Sequence, residues 1–289
     1  MDLILQLLFT AAGLGALYGA IGIAFVVIHR MTGMVNFAQG DIAVAGAFGA
    51  VVASRFLPPI LAIVVGGVVG ALVSVAMYFL AVRPLRAQGL LVQTIVTLGV
   101  GIAISATVQL IFGTAPHQFP PITSGASFQV GGASIPQQTV WLLVMTIFLY
   151  VTLTLFFDRT LVGKALSACA VNRYAAGVVG INLGLMATIA FAVSGSVAGI
   201  ILSAQVPTSF VSVGAGFAFG LKGFIAAILG GFDKLGLTLV GGFLIAIVEV
   251  YSARFISTAY ADTIVFVLLI ALLVLRPQGL TRALVVDRV

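Results

Sequence analysis

Charge is scarce in this chain. Only 7% of its 289 residues are Asp, Glu, Lys or Arg, while 62% are hydrophobic; an ordinary soluble domain carries about 25% charged residues. A folded soluble protein cannot hide this much apolar surface, so the composition excludes a soluble enzyme and points to a polytopic membrane protein. Cysteine is nearly absent. The single Cys169 excludes an internal disulfide and reads as a packing residue rather than a reactive thiol. The two histidines, His29 and His117, have no partner at metal-ligand spacing, so no metal site is expected. An ATP site is missing as well. Gly163-Lys164 resembles the end of a phosphate loop, but Ala165 stands where Ser or Thr would bind magnesium. With no Ser/His/Asp set either, the chain is expected to be no enzyme and to use no cofactor. Energy for uphill work must then come from another chain.

What is there is a series of apolar stretches. A span needs about 20 apolar residues, and such stretches lie near 4–28, 40–56, 59–81, 90–112, 139–157, 185–205, 215–230, 237–253 and 260–275. The expectation is an all-α, polytopic transmembrane helix bundle of about nine spans, forming one domain over 1–289. The start, Met1-Asp2-Leu3, lacks the basic region of a signal peptide, so the first stretch is expected to be retained. The net charge of +6 is spread over short loops. That spread argues against a nucleic-acid partner and matters for topology instead. With the C-terminus inside, the inside segments hold Arg30, Arg83, Arg86, Arg159, Lys164, Arg173, Lys234, Arg276, Arg282 and Arg288. Only Arg55, Lys222 and Arg254 fall elsewhere. This bias predicts N-out, C-in. The one long outer loop, 113–138, is uncharged and rich in proline, and reads as a connector, or else as an ordered lid or docking surface.

Glycine is abundant, with 34 residues, and much of it falls inside the spans. Gly15/Gly19, Gly66/Gly70, Gly195/Gly199 and Gly216/Gly220 have the spacing that lets helix backbones approach closely in lipid. Polar groups at membrane depth are few. Asn36, Gln39 and Asp41 lie between two apolar stretches with almost no loop, flanked by Gly33 and Gly40. They form either a broken helix on a substrate pathway or a tight turn with a helix cap. Lys222 lies inside a span and needs a partner, either Glu249, Asp262 or a solute carboxylate. The longest polar, basic stretch is 158–184, which reads as a docking element for a partner at the cytoplasmic face.

Several stretches carry a family pattern: Met34-Val-Asn-Phe-Ala-Gln-Gly-Asp41, Arg83-Pro-Leu-Arg86, Thr97-Leu-Gly-Val100, Gly220-Leu-Lys-Gly-Phe-Ile-Ala-Ala-Ile-Leu-Gly-Gly231, Gly241-Gly242 and Arg276-Pro-Gln-Gly-Leu280. Over nearly its whole length the chain resembles the permease subunits, of the shorter type, of branched-chain amino acid ABC importers. Relatives in that family carry urea, short amides and aromatic acids. The resemblance implies a bacterial inner-membrane importer. It also implies a second, different permease subunit, two ATP-binding subunits and a periplasmic or lipid-anchored solute-binding protein. It makes 158–184 the ATPase-coupling segment, with Arg159, Gly163, Lys164, Ala165, Ala168, Asn172, Arg173 and Gly180 as its candidate residues. Asn36, Gln39, Asp41 and Lys222 are the candidates for the solute pathway. The competing expectation is a stand-alone ion-coupled transporter or channel, with Asp41, Lys222, Glu249 and Asp262 as its coupling groups.

Overall fold

The computed structural model describes residues 2–130 and 132–275, so Arg276, Arg282, Arg288 and the 276–280 motif lie outside the described residues. The described chain is mostly helix, as its composition requires. In hydrocarbon every backbone polar group needs a partner from the protein, and a helix supplies it locally. Each of the nine apolar stretches falls on a helix. They are α1 (Asp2–Thr32), α2 (Gln39–Ala53), α3 (Pro59–Met77), α4 (Leu90–Phe112) and α5 (Gln137–Arg159), then, after the short α6 (Leu161–Val171) and α7 (Arg173–Val178), α8 (Leu183–Gln205), α9 (Ala215–Leu229), α10 (Leu235–Phe255) and α11 (Ala261–Leu275). Among the described residues six are long and apolar enough to cross a membrane: α1, α3 with its continuation to Leu85, α4, α5, α8 and α10. The helices α2, α9 and α11 have 15 residues each. That is about 22 Å of helix against a hydrocarbon core of about 30 Å. Length alone therefore singles out six of the nine.

Close backbone contact holds the centre together. α1 is apolar on all sides and buried almost throughout, as a central helix must be. It runs antiparallel to α10, with Gly22 against Thr238 and Gly15 against Phe243, where a Cβ on Gly15 would come within 2.5 Å of the Phe243 ring. α3 runs antiparallel to α8 in the same manner, Gly66 meeting Ser203 and Gly70 meeting Gly195. α2 crosses α8 at Gly46 and Gly199, while α9 meets α1 at Gly223 and Ile21. The groups α1–α2–α3 and α8–α9–α10 thus pack alike, the first helix of each holding the third helix of the other. Three of the four small-residue pairs noted in the sequence lie at these contacts, and the fourth, Gly216/Gly220, lies where α9 meets α2.

Two clusters of loops mark the two ends. At one end the side chain of Gln6 accepts from the Ser134 N–H at 2.7 Å and donates to its carbonyl at 3.0 Å. Ser134 lies in a small hairpin of β1 (Phe128–Val130) and β2 (Ala133–Ile135), with Phe128 opposite Ile135. His117 and Val211 exchange two backbone hydrogen bonds of 2.9 Å, and Gln138 donates to the Ala204 carbonyl at 2.8 Å. The described residues of the 113–138 loop are therefore tied to this end by hydrogen bonds to α1 and to the α8–α9 connection. At the other end His29, Arg30 and Gly33 meet Cys169, Arg173 and Asp233 around a cavity of about 290 Å³. Arg30 donates to the Asp233 carbonyl and lies over the Phe157 ring, 5.6 Å from its centre.

Between these ends, α2 and α9 begin inside the bundle. After α1 the chain turns at Gly33, whose φ of 74° suits glycine, and runs back without helix through residues 34–36. Gln39 at the start of α2 bonds Ser194, halfway along α8. α2 then reaches the hairpin end, where Phe48 packs on His117, their ring centres 5.3 Å apart. α9 starts beyond the His117–Val211 bridge and ends at the opposite cluster, beside Asp233. The two N-termini cross at Gly40 and Gly216, where a Cβ on Gly40 would strike the Gly216 carbonyl. These are two half-length helices with their positive ends brought together.

Gly195→Val would drive a branched side chain into the Gly70 carbonyl. It is expected to lower stability in detergent by about 1–3 kcal/mol, read as a fall in melting temperature. Gly99→Ala, which meets nothing within 4 Å, is the control and is expected to melt like the wild type.

Candidate functional site

The break between α1 and α2 is built from its own polar side chains. The Asn36 side-chain oxygen accepts from the Ala38 N–H at 3.1 Å, a local turn that starts α2 although Ala38, the residue before the helix, has no capping side chain. The Asn36 amide donates to Gln39 Oε1 at 3.1 Å, and Gln39 Nε2 donates to the Ser194 carbonyl at 3.2 Å. Ser194 Oγ donates to the Ala24 carbonyl at 2.7 Å. Thr97 of α4 accepts from the Phe37 N–H at 2.9 Å. Both Asn36 and Gln39 are fully buried. A backbone that leaves the helix inside a membrane protein must satisfy its polar groups from neighbours; Asn36 and Thr97 do so for the N–H groups of Ala38 and Phe37, and Gln39 ties Asn36 to α8.

Asp41 is placed differently. It stands in the first turn of α2 and is buried, yet among the described residues no cation pairs with it. Its carboxylate is wedged between α4 and α9. A Cβ on Gly101 would lie 2.7 Å from Oδ2 and one on Gly216 2.5 Å from Oδ1, so both positions must be glycine for the group to fit. Beside it a cavity of about 350 Å³ opens between α2, α4 and α9. Leu98, Ile102, Ser105 and Gln109 line it at helical spacing along one face of α4. Phe217 forms part of the opposite wall, and both it and Ile102 are more than half exposed.

Lys222 lies apart from this cavity. Its ammonium is 2.9 Å from Glu249 and 2.7 Å from Asp262, and Tyr18 OH donates to the same Glu249 oxygen at 3.1 Å. The sequence left an ion pair and a solute contact open for Lys222; the geometry supplies two carboxylates at once. The second Glu249 oxygen is buried without a partner among the described residues. Lys222 itself is only 5% exposed, so the cluster joins a buried cation to the largely buried Glu249 and to Asp262, which is more than half exposed.

The 158–184 segment forms two short helices at the end of α5. Thr160 caps α6 through the Gly163 N–H, Asn172 caps α7 through Ala175, and Asn182 caps α8 through Leu185. Gly163 is buried, and a Cβ there would strike the Phe156 carbonyl, so it makes the α5–α6 turn possible. Leu166 and Cys169 join it on the inner face of α6. Burial pushes the Cys169 thiol up, against the opposing pull of Arg173, which keeps it in the inert thiol form. Ala165 is half-buried, and Arg159, Lys164, Ala168, Asn172, Arg173 and Gly180 are exposed. Leu161, Tyr174, Val178 and Val179 add a large exposed apolar surface.

Sequence reasoning missed Ser194 and Thr97, which complete the broken-helix network, and Ser105 and Gln109 on the cavity wall. The last two sit four residues apart on one face of α4, a faint polar stripe in an apolar helix. Nothing in the sequence singles out Ser194 before the fold brings it to Gln39.

Residues 7–273 match the family described as branched-chain amino acid transport system, permease component. The chain is 29% identical to the high-affinity branched-chain amino acid transport system permease protein LivH of Escherichia coli, over 96% of this chain and 94% of that one. It is 28% identical to the corresponding BraD of Pseudomonas aeruginosa, over 96% and 95%. Among solved structures, an inward-facing ABC transporter of the metal-chelate type aligns over 92% of this chain and 85% of that one, with a TM-score of 0.51 and 18% identity, a likeness of fold.

Replacing Lys222 with methionine would leave Glu249 a buried, uncompensated charge. Losing one partner of a buried pair costs roughly 3–5 kcal/mol; the Asp262 arm adds less because that side chain is more than half exposed. The expected outcome is loss of monodisperse protein on size exclusion, with partial recovery in the Lys222→Met/Glu249→Gln double variant.

Proposed function

Because the chain belongs to the branched-chain amino acid transport system permease family, we propose that it is the transmembrane permease subunit of an ABC importer for a small polar solute. A branched-chain amino acid is the foremost cargo, in keeping with the names of its relatives; amides, urea and aromatic acids are the other classes. It works in a bacterial inner membrane with a second, different permease, two ATP-binding subunits and a solute-binding protein. The chain makes nine crossings, N-out and C-in. The gathering of 29–33, 169–173 and 233 at one end of the bundle supports that sidedness, since these segments carry inside-type basic residues.

The observation that carries this reading is the α6–α7 segment. Its inner face is packed through Gly163, Leu166 and Cys169, and its outer face presents Leu161, Ala168, Tyr174 and Val178 with Arg159, Lys164 and Arg173 around them. An apolar patch rimmed by charge, standing clear of the bundle, suits a protein partner in water. Closure of the ATPases would press on this segment. The buried face would pass the force to α1 and α5 and rock the permease between outward and inward states.

The test is reconstitution. The chain, extracted gently with its partners, is expected to bring down two ATP-binding chains and a second permease, and to support ATP-dependent uptake in proteoliposomes. Uptake by the chain alone, without nucleotide, would overturn the reading. Leu161→Glu and Ala168→Glu are expected to cut ATP-driven uptake about tenfold, as loss of an interface anchor does, with the melting temperature unchanged. Unaltered coupling in both variants would remove α6 from the ATPase interface.

A further inference from the structure

The Asp41 cavity has two unlike polar ends within reach of each other. One is the carboxylate itself, nine-tenths buried, with no cation on it among the described residues. Among the described residues no other residue donates a hydrogen bond to it. The other is the start of α9. Gly214 precedes that helix with no capping side chain, and no acidic residue lies in the first turn. The Ala215 N–H is bonded to the Ser212 carbonyl at 3.2 Å, but those of Gly216 and Phe217 have no hydrogen-bond partner among the described residues. Gly214 and Phe217 line the cavity together with Asp41.

The positive ends of α2 and α9 explain why a carboxylate is tolerated here, since each carries about half a unit of charge. They do not use its hydrogen-bonding capacity. A carboxylate and unpaired backbone donors that open on one cavity leave hydrogen-bonding capacity that a ligand can take up. We propose that this cavity receives the dipolar head group of the transported solute: nitrogen-bound hydrogens on the Asp41 carboxylate, and a carboxylate or carbonyl oxygen on the free amides opening α9. Leu98 and Ile102 then face an apolar side chain. The solute class is one that carries donor and acceptor together at one end and an apolar tail at the other, as an α-amino acid does. The inference deepens the permease reading and rests on it. The exposed mouth at Ile102 and Phe217 opens sideways, where a second permease can close it.

The test uses the intact complex with its partner subunits and saturation-transfer NMR, which registers weak binding. The probes are leucine, 3-methylbutylamine (leucine without its carboxylate) and 4-methylpentanoate (leucine without its amine). The wild type is expected to bind leucine, and each half-molecule about tenfold or more weakly. In Asp41→Asn, leucine and 3-methylbutylamine lose about tenfold or more, while 4-methylpentanoate is unchanged or improved. A role limited to packing would move all three probes alike. No leucine signal in the wild type, equal binding of leucine and 4-methylpentanoate, or unchanged leucine binding in Asp41→Asn overturns the proposal. So does a variant that loses only its permease partner, which would make Asp41 a subunit contact. If Asp41→Asn does not assemble, Gly101→Ala displaces the carboxylate from the α4 side and is expected to weaken the two amines selectively; uniform weakening overturns the proposal. Absence of ATP-dependent uptake by the reconstituted wild type counts against the importer reading separately.

Discussion

The crossing of α2 and α9 at Gly40 and Gly216 is the contact on which the rest of the structure depends. No side chain separates the two backbones there, and each helix begins close to that point. A full-length helix would satisfy its backbone and present only side chains. Two half-length helices that start inside the bundle instead bring free amides, an aligned dipole and one carboxylate to its interior. That is a polar site made almost entirely from main chain, in a chain with few polar side chains to spend.

The surrounding bundle has to make such a break tolerable. Lipid gives helices no hydrophobic reason to associate, so the frame relies on close packing, α1 against α10 and α3 against α8, with glycine at each contact. The arrangement of α1–α2–α3 matches that of α8–α9–α10, and a two-fold relation of this kind puts the two broken helices at its centre. Asn36 and Thr97 then satisfy N–H groups of the unwound stretch, and Gln39 and Ser194 anchor Asn36 to α8 and α1. The Lys222–Glu249–Asp262 group, with Tyr18, ties α9 to α10, α11 and α1. An ion-coupled carrier would need such groups free to titrate or bind. Here the lysine is spanned by both acids, and among the described residues Asp41 is a buried acid with no cation on it.

The α6–α7 segment lies at the end where α1 finishes, while Asp41 lies inside the bundle. α1 links them, since its end meets the segment around Arg30 and Cys169 and its body packs against α9. A movement of α6 therefore has a direct mechanical route to the helix that carries the free amides, through packed small residues with little room to yield.

Much of this was legible from residue types alone. Apolar runs marked where helices lie, because hydrocarbon admits little else. Glycine spacing marked where they touch, and the polar, basic 158–184 stretch marked where the long helices give way to the short α6 and α7. The residues 33–41 announced a break, because Gly33, Asn36 and Gly40 in such a position disfavour a continuous helix. What they could not tell was the division of labour among Asn36, Gln39 and Asp41, since that depends on what stands opposite each. Ser194, 155 residues from Gln39, takes up the Gln39 side-chain amide. Gly101 and Gly216, on two other helices, leave Asp41 facing a cavity. Lys222 likewise acquired its role only when α10 and α11 arrived with their carboxylates. Sequence determines which groups are costly to bury; the tertiary structure alone decides which are compensated by the protein and which are left for a ligand.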